Sequence, residues 1–535
     1  MQLLIGHGQV PTIMPEASEK ILYYITSLFT GLATMGIETS ASRLLSPYFG
    51  STNLIWATII TLIMLSLCLG NYLGGKLADK EKNADKLYTV IIISAIWVLV
   101  MPFFSKIVIM GSVIIGGLLP FGNAIQIASV LSCLILFTFP LTLLGMVSPY
   151  LAKLCINDLK LTGKVIGNIS VWNTVGSIIG TILPTFVLIP LIGVKFSFLL
   201  FGIMLLALCV CYFIVAKNNK KKKLLATSII IAIVMLASTN KSLALDAVIY
   251  EEESIYNYIG VNQEEEALSL KTNVFFGSQS VKNINQNKLT GLYYDYFVTF
   301  PLFCKDFEEL EDEKLEILIL GYCAGTGADV LRKEYDINVT GIEIDDKIIE
   351  VAQKYFWDGE IKDNIIIDDG RNYLLNCDKK YDLVIIDVYQ NISIPVNFTS
   401  TEFFGLCNKV LKDDGIIAMN IGLGNSTDSK LVQCLGQTLK KNVQNVYAYK
   451  TPIDNNVIII GGNSISDLHQ FNENLDKIPD ITNFEVCLGM KNNLVEINET
   501  KMILTDDLNN IELLEQEQFN KIIREELHIE FVGNK

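Results

Sequence analysis

Three carboxylates in the second half of this 535-residue chain stand at comparable places: Glu343, Asp369 and Asp387. They close or follow short apolar runs in VTGIEID, NIIIDDG and YDLVIID. A carboxylate at the end of a buried strand can accept hydrogen bonds from ribose hydroxyls or an adenine amino group. It can also hold an ammonium group and take its proton. A glycine loop precedes the three acids, with Gly321, Gly325 and Gly327 directly after the apolar run Leu315–Leu320. Glycines there let the backbone turn tightly and approach a ligand closely. Glu343 follows about 20 residues later, the spacing at which an acid meets a ribose. Each acid alone would serve equally well to end a strand or cap a helix. Three on one rim, with the loop in register, point to a nucleoside pocket.

Other chemistry is poorly supplied. The three histidines, His7, His469 and His528, all lie far from the loop in sequence. The 11 cysteines form no CxxC pair, which predicts buried thiols in a reducing compartment, with no disulfide framework and no metal site. The formal net charge of −15 argues against a nucleic-acid partner and suits a cationic small molecule.

The elements that must position these residues can be read from the pattern. Candidate strands are 315–320, 338–344, 364–368, 381–387, 415–421, 445–450 and 456–460. Helical stretches near 328–335, 346–356, 399–411 and 427–441 alternate with them. Such alternation predicts a doubly wound α/β domain with a parallel sheet, whose ligands bind at the carboxyl ends of the strands. Ahead of it, 247–279 reads as a small antiparallel β-subdomain. The aromatic stretch Leu289–Phe303 serves either as pocket wall or as core.

The first half is different. Half of all residues are hydrophobic and mean hydropathy is +0.39, with the apolar residues concentrated in 21–245. Six segments are long enough to cross a bilayer, roughly 21–42, 54–75, 87–109, 125–148, 165–190 and 193–216. Residues 107–122 are either the end of the third span or a re-entrant piece. Residues 1–13 have neither a charged leader nor a cleavage signal. Lys76, Lys80, Lys82 and Lys86 follow the second span, Lys153, Lys160 and Lys164 the fourth, and Lys217 and Lys220–Lys223 the sixth. All three clusters fall on one side, which should be the cytoplasm, with the α/β domain beside it. Leu224–Leu245 is an open case: as a seventh span it would reverse that placement, as an interfacial helix it would not. Gly70, Gly74, Gly176 and Gly180 form small-xxx-small faces suited to close helix packing. Glu38 and Arg43 are costly groups near membrane depth, and each is expected to find a partner. The expected division is a tail over 1–20, a multi-pass α-helical membrane domain over 21–245, a β-subdomain over 246–300 and the α/β domain over 301–535.

At these residues the chain resembles the spermidine synthase family of aminopropyltransferases, which have the Rossmann-like class I methyltransferase fold. The resemblance runs over roughly 247–512, through ESIYNYIGV, GSQS, YYDYF, the glycine loop, GIEID, DDGRNYL, YDLVIIDVY, TSTEFF, KVLKDDGIIAMNI and LTDD. The first half, with GIETSASRLLSPYFG, LGNYLGGKLADK, LLGMVSPYLAKL and NTVGSIIGT, resembles the N-terminal part of membrane-anchored fused members. The resemblance implies that decarboxylated S-adenosylmethionine, or S-adenosylmethionine, is the co-substrate and that no metal is used. It makes Glu343 the ribose ligand, Asp369 and Gly370 the adenine contacts and Asp387 the base. Gln279 lies on the cofactor side, and Tyr293 and Gln390 face the substrate. The chain departs from the soluble synthases in three places. Cys323 replaces a usual glycine, and Ala324 and Gln390 replace aspartates that would contact substrate amines. The partners implied are the bilayer and a small-molecule amine such as putrescine, with a homodimer left open. Two alternatives stay beside this reading. One is a methyltransferase on the same fold, disfavoured because Ile319 stands where many small-molecule methyltransferases carry an acid. The other is a membrane transporter or sensor with a nucleoside-binding module.

Overall fold

The computed structural model describes residues 17–119, 123–156, 162–215, 229, 233 and 248–533. Short stretches within the last range are excepted, namely 265, 275–276, 284–288, 305–313, 360–362, 453, 466–467, 478–480 and 499–501. The chain divides into two units, Met1–Leu44 with Ala57–Met110 and Val130–Lys241, and Leu45–Trp56 with Gly111–Ser129 and Ser242–Lys535.

Five helices are long and apolar enough to cross a membrane: α1 (Glu19–Phe49), α2 (Asn53–Lys80), α3 (Ala84–Leu118), α4 (Ala124–Cys155) and α5 (Thr162–Ile214). Six segments were expected. The fifth and sixth are a single 53-residue run, broken where Gly193 takes φ +77°. At 1.5 Å per residue that run is roughly 80 Å long, enough for two crossings of a core about 30 Å thick. Residues 107–118 continue α3 without interruption, so they are the end of the third helix. Leu224–Leu245, Lys217 and Lys220–Lys223 lie outside the described residues apart from 229 and 233.

The glycine faces act as packing surfaces. A Cβ on Gly70 or Gly74 would fall 2.3 Å from the Thr142 carbonyl oxygen or 2.5 Å from that of Met146. On Gly176 and Gly180 it would fall 1.9 Å and 2.2 Å from the Leu28 and Leu32 oxygens. Any larger residue would separate α2 from α4, or α5 from α1.

The second unit carries two sheets. The smaller has four antiparallel strands in sequential order: β1 (Val248–Glu253), β2 (Tyr258–Glu264), β3 (Ala267–Lys271) and β4 (Ser280–Asn283). A buried 3₁₀ helix, Tyr293–Phe303, leads from it. The larger sheet begins with β5 (Leu315–Leu320), α6 (Thr326–Arg332), β6 (Ile337–Glu343), α7 (Asp346–Tyr355) and β7 (Asn364–Ile367). It continues with α8 (Gly370–Leu375), β8 (Tyr381–Ile386), α9 (Thr401–Lys409), β9 (Leu411–Ile421), α10 (Lys430–Leu439), β10 (Asn445–Lys450) and β11 (Val457–Gly462). α11 (His469–Leu475), α12 (Ile481–Asn493), β12 (Val495–Glu496) and α13 (Ile511–Gly533) complete the chain.

The strand order is β12-β10-β11-β9-β8-β5-β6-β7. β5 to β9 run parallel, whereas β9 pairs antiparallel with β11, β11 with β10, and β10 with β12. This is the expected Rossmann-like sheet. β5, β6 and β7 step one way from the centre, β8 and β9 the other, so the order reverses between β5 and β8. That switch point opens a crevice at the carboxyl ends of these strands.

Candidate active site

The crevice is built from the strand ends. Gly321 follows β5 and takes φ +83°. Its N–H donates to the Ile342 carbonyl at 3.0 Å, and the Asp387 N–H donates to Leu320 at 2.9 Å. The ends of β5, β6 and β8 are therefore locked together. A Cβ on Gly321 would lie 2.3 Å from the Asp387 carbonyl oxygen, so only glycine fits. Gly325 and Gly327 stand elsewhere. Gly325 turns at φ +86° against the Tyr322 ring, and Gly327 packs beneath Phe297. Both shape the loop through packing and neither lines the crevice. Cys323 takes φ +50°, a left-handed conformation that explains why glycine suits this position.

A cavity of about 250 Å³ opens there, with Glu343, Asp369 and Asp387 all in its wall, together with Gly321, Gly370 and Gln279. The fully buried Glu343 accepts from the Cys323 N–H at 2.9 Å and the Asp345 N–H at 3.1 Å. Burial nevertheless pushes its pKa up to about 7. Asp369 also caps α8, accepting from the Arg371 and Asn372 N–H groups through Oδ1. Cap and cavity wall are thus compatible roles for one side chain. Gln390, from the segment after β8, completes the rim.

Asp387 is the junction with a second cavity of about 280 Å³. Its Oδ2 accepts from the Tyr293 hydroxyl at 2.8 Å and its Oδ1 from the Asn420 amide at 2.9 Å. Tyr293 and Asn420 line the second cavity, and Gln279 and Tyr389 line both. Burial pushes the pKa of Asp387 up to about 6, against the two hydrogen bonds, which favour its charged form. A carboxylate poised there is suited to accepting a proton near neutral pH.

Several contributors escaped the sequence reading. Asp345 is fully buried and accepts from the Ser254 hydroxyl at 2.6 Å and the Asn257 amide at 3.0 Å. It thereby ties the β1–β2 turn to the cavity. Asn257 Oδ1 and Thr272 Oγ1 are buried without a hydrogen-bond partner, and both residues line the first cavity. Buried polar atoms left unpaired are costly. Asn420 carried a visible signal, a lone amide in the apolar strand GIIAMNI. The late LTDD also finds its place: Asp506 receives both terminal nitrogens of Arg371, at 2.8 and 2.5 Å. Among the described residues, no three His, Cys, Asp or Glu side chains converge as metal ligands.

The model of the spermine/spermidine synthase domain matches residues 292–466. That stretch contains the glycine loop, all three carboxylates, Tyr293 and Asn420. Residues 292–466 are a spermine/spermidine synthase domain. A probable polyamine aminopropyl transferase of Bifidobacterium longum is 37% identical over 191 residues, covering 36% of this chain and 41% of the relative. A polyamine aminopropyltransferase of Clostridium botulinum is 25% identical over 182 residues, covering 33% and 60%. The chain thus spans less than two thirds of the length of these relatives. Among solved structures, this chain is similar to the spermidine synthase of Thermotoga maritima, with 18% identity, a TM-score of 0.36 and coverage of 46% of this chain and 84% of the other. A spermidine synthase in complex with the transition-state analogue AdoDATO gives 19% identity, a TM-score of 0.37 and coverage of 46% and 84%.

Proposed function

We propose that this protein is a membrane-bound aminopropyltransferase that moves an aminopropyl group from decarboxylated S-adenosylmethionine to a small amine. The observation that carries this reading is the position of Asp387. It lies in the wall of one cavity and is hydrogen-bonded to Tyr293 and Asn420 in the wall of the next. The first cavity suits a nucleoside, with Glu343 for ribose hydroxyls and Asp369 and Gly370 for adenine. The second suits the acceptor amine.

An alkylamine has a pKa close to that of lysine, about 10, so it reaches the site as an inert ammonium ion. The Asp387 carboxylate holds that ammonium and takes one proton, leaving a lone pair on nitrogen. The sulfonium co-substrate supplies an electrophilic carbon. The new N–C bond forms as the C–S bond breaks, and the bonding pair stays on sulfur as a neutral thioether. Tyr293 and Asn420 keep Asp387 oriented throughout, and the proton leaves through Asp387 to solvent.

The five apolar helices support an anchor in the bilayer, and the lysines after α2 and α4 support a cytoplasmic synthase domain. A reporter fused after Lys535 should be active only on the cytoplasmic side. For the reaction, purified protein is incubated with decarboxylated or intact S-adenosylmethionine and a panel of amines. Mass spectrometry should find an aminopropyl adduct with the decarboxylated form alone. A methyl adduct with the intact form would establish a methyltransferase instead.

A further inference from the structure

Two connections between apolar helices belong to the same unit as the synthase domain: Leu45–Trp56 at the α1–α2 turn and Gly111–Ser129 at the α3–α4 turn. The ends of a helix leave main-chain groups without helical partners. α13 meets such ends with residues spaced four apart, which share one face of a helix. Glu512 accepts from the Asn53 N–H at 3.0 Å and Asn520 from the Ala124 N–H at 2.7 Å, at the first residues of α2 and α4. Gln516 donates to the Thr52 hydroxyl at 3.1 Å and Arg524 to the Leu119 carbonyl at 3.3 Å. On the same helix Glu515 holds the Ile394 N–H, and Ile522 lines the second cavity.

The α1–α2 turn also touches the segments that wall the two cavities. The Val274 N–H donates to the Pro47 carbonyl at 2.9 Å, directly after Thr272 in the first cavity and Asn273 in the second. The Asn391 amide donates to the Ser46 hydroxyl at 2.9 Å. Asn391 is buried, takes φ +60° and lies in a turn closed by the Gln390 N–H on the Ser393 carbonyl at 2.9 Å. That turn gives Gln390 to the first cavity and Asn391 and Ile392 to the second. Gly50 lies against it, where a Cβ would stand 3.2 Å from Ile392 Cγ1.

A non-glycine residue in the left-handed region keeps that conformation when its surroundings fix it. Here Asn273 holds the Asn391 carbonyl at 3.2 Å and Ser46 holds its side chain. We propose that Ser46 is a positioning residue for aminopropyl transfer, acting through Asn391 to set the turn that walls the second cavity. The α1–α2 connection then belongs to the scaffold of the active site as well as to an anchor. This rests on the aminopropyltransferase reading.

The test uses full-length protein carrying Ser46→Ala, Ser46→Thr, Asn391→Gly or the Ser46→Ala/Asn391→Gly pair. Glycine at 391 removes the amide and keeps the left-handed turn. Loss of one neutral hydrogen bond is worth roughly 2- to 10-fold. Ser46→Ala and Asn391→Gly should each raise the KM for putrescine by about that factor with kcat nearly unchanged. The pair should be no worse than Asn391→Gly alone, because both changes remove one bond. Ser46→Thr keeps the hydroxyl and should restore the wild-type KM. Deuterium exchange at the Ser393 and Ile394 amides should quicken in Ser46→Ala and Asn391→Gly. A role in stability alone would lower melting temperature and leave KM at its wild-type value, and that result would overturn the proposal. So would additive effects in the pair. Should Ser46→Ala fail to fold, Asn391→Gly reads the same bond from its other end. A wild type that transfers nothing to any amine would sink the enzymatic reading. Exchange at Ser393 and Ile394 would still decide whether Ser46 sets the turn, and unchanged exchange in both variants would overturn that role.

Discussion

The Tyr293 hydroxyl donates to the Asp387 carboxylate at 2.8 Å, joining the aromatic 3₁₀ helix to the carboxyl end of β8. Burial raises the pKa of Asp387 to about 6, and this hydrogen bond opposes the rise. Asp387 must be ionised to take a proton from the amine. The rate constant for aminopropyl transfer should therefore fall as pH drops below about 6. Tyr293→Phe removes a bond that favours the charged form, so it should move the acid limb of the pH profile upward. An unmoved limb in that variant would mean that another group controls it.

Asp387→Asn keeps the shape and removes the base. Turnover should fall by roughly 10²–10⁴. Affinity for methylthioadenosine should stay close to that of wild type, because Glu343, Asp369 and the loop after β5 carry it. Single-turnover rates and melting temperature measured on one preparation separate this from simple destabilisation. A folded variant with the wild-type rate would remove Asp387 from the mechanism.

Glu343→Gln should weaken methylthioadenosine binding by about 1.5–3 kcal/mol, the worth of a charged hydrogen bond. The pKa of Glu343 is raised to about 7, and ribose hydroxyls donate best to the ionised form. Wild-type affinity should thus decline as pH falls through 7. The glutamine variant should lack this decline. Calorimetry on both proteins across that range checks the two statements together.

Gly321→Ala forces an L side chain into φ +83° and directs its Cβ at the Asp387 carbonyl oxygen, 2.3 Å away. The conformational strain alone is on the order of 1–2 kcal/mol. The end of β8 must also move, taking Asp387 with it. A lower melting temperature accompanied by loss of nucleoside binding is expected. Wild-type behaviour in both measurements would show that the backbone can yield there at no cost.

Glu515 on α13 is fully buried and accepts from the Ile394 N–H at 2.7 Å, steadying the segment after Gln390. Burial lifts its pKa from 4.5 to about 8. The folded state then holds its proton more tightly than the unfolded chain. Stability should fall as pH rises from about 4.5 to about 8 and change no further above that. Glu515→Gln should flatten this slope, so its advantage in melting temperature should widen over the same range. Parallel melting curves for the two proteins at all pH values would contradict the assignment.

Much of this was legible in the sequence because strand ends and glycine turns are local. β5 begins and ends where its apolar run does, and β10 spans the expected 445–450. An acid after a buried strand must emerge at the carboxyl rim, so Glu343, Asp369 and Asp387 were expected to meet, and they line one cavity. Long apolar runs likewise disclosed the helical first half. A break such as Gly193 is weaker in sequence, because glycine occurs in continuous helices as well.

Only the tertiary structure decided which groups face those acids. Tyr293 lies 94 residues from Asp387, Asn257 lies 88 from Asp345, and Tyr293 lies 161 from Asp454. Local propensity carries no information about pairs so distant, since their approach depends on strand order and on the switch between β5 and β8. The same holds for pKa values. Asp387 and Glu343 are ordinary acids by type, and it is burial among surrounding strands that lifts them towards neutrality. The residue types in this chain determined that a rim of acids would form, while the sheet topology decided that Asp387 would stand between two cavities.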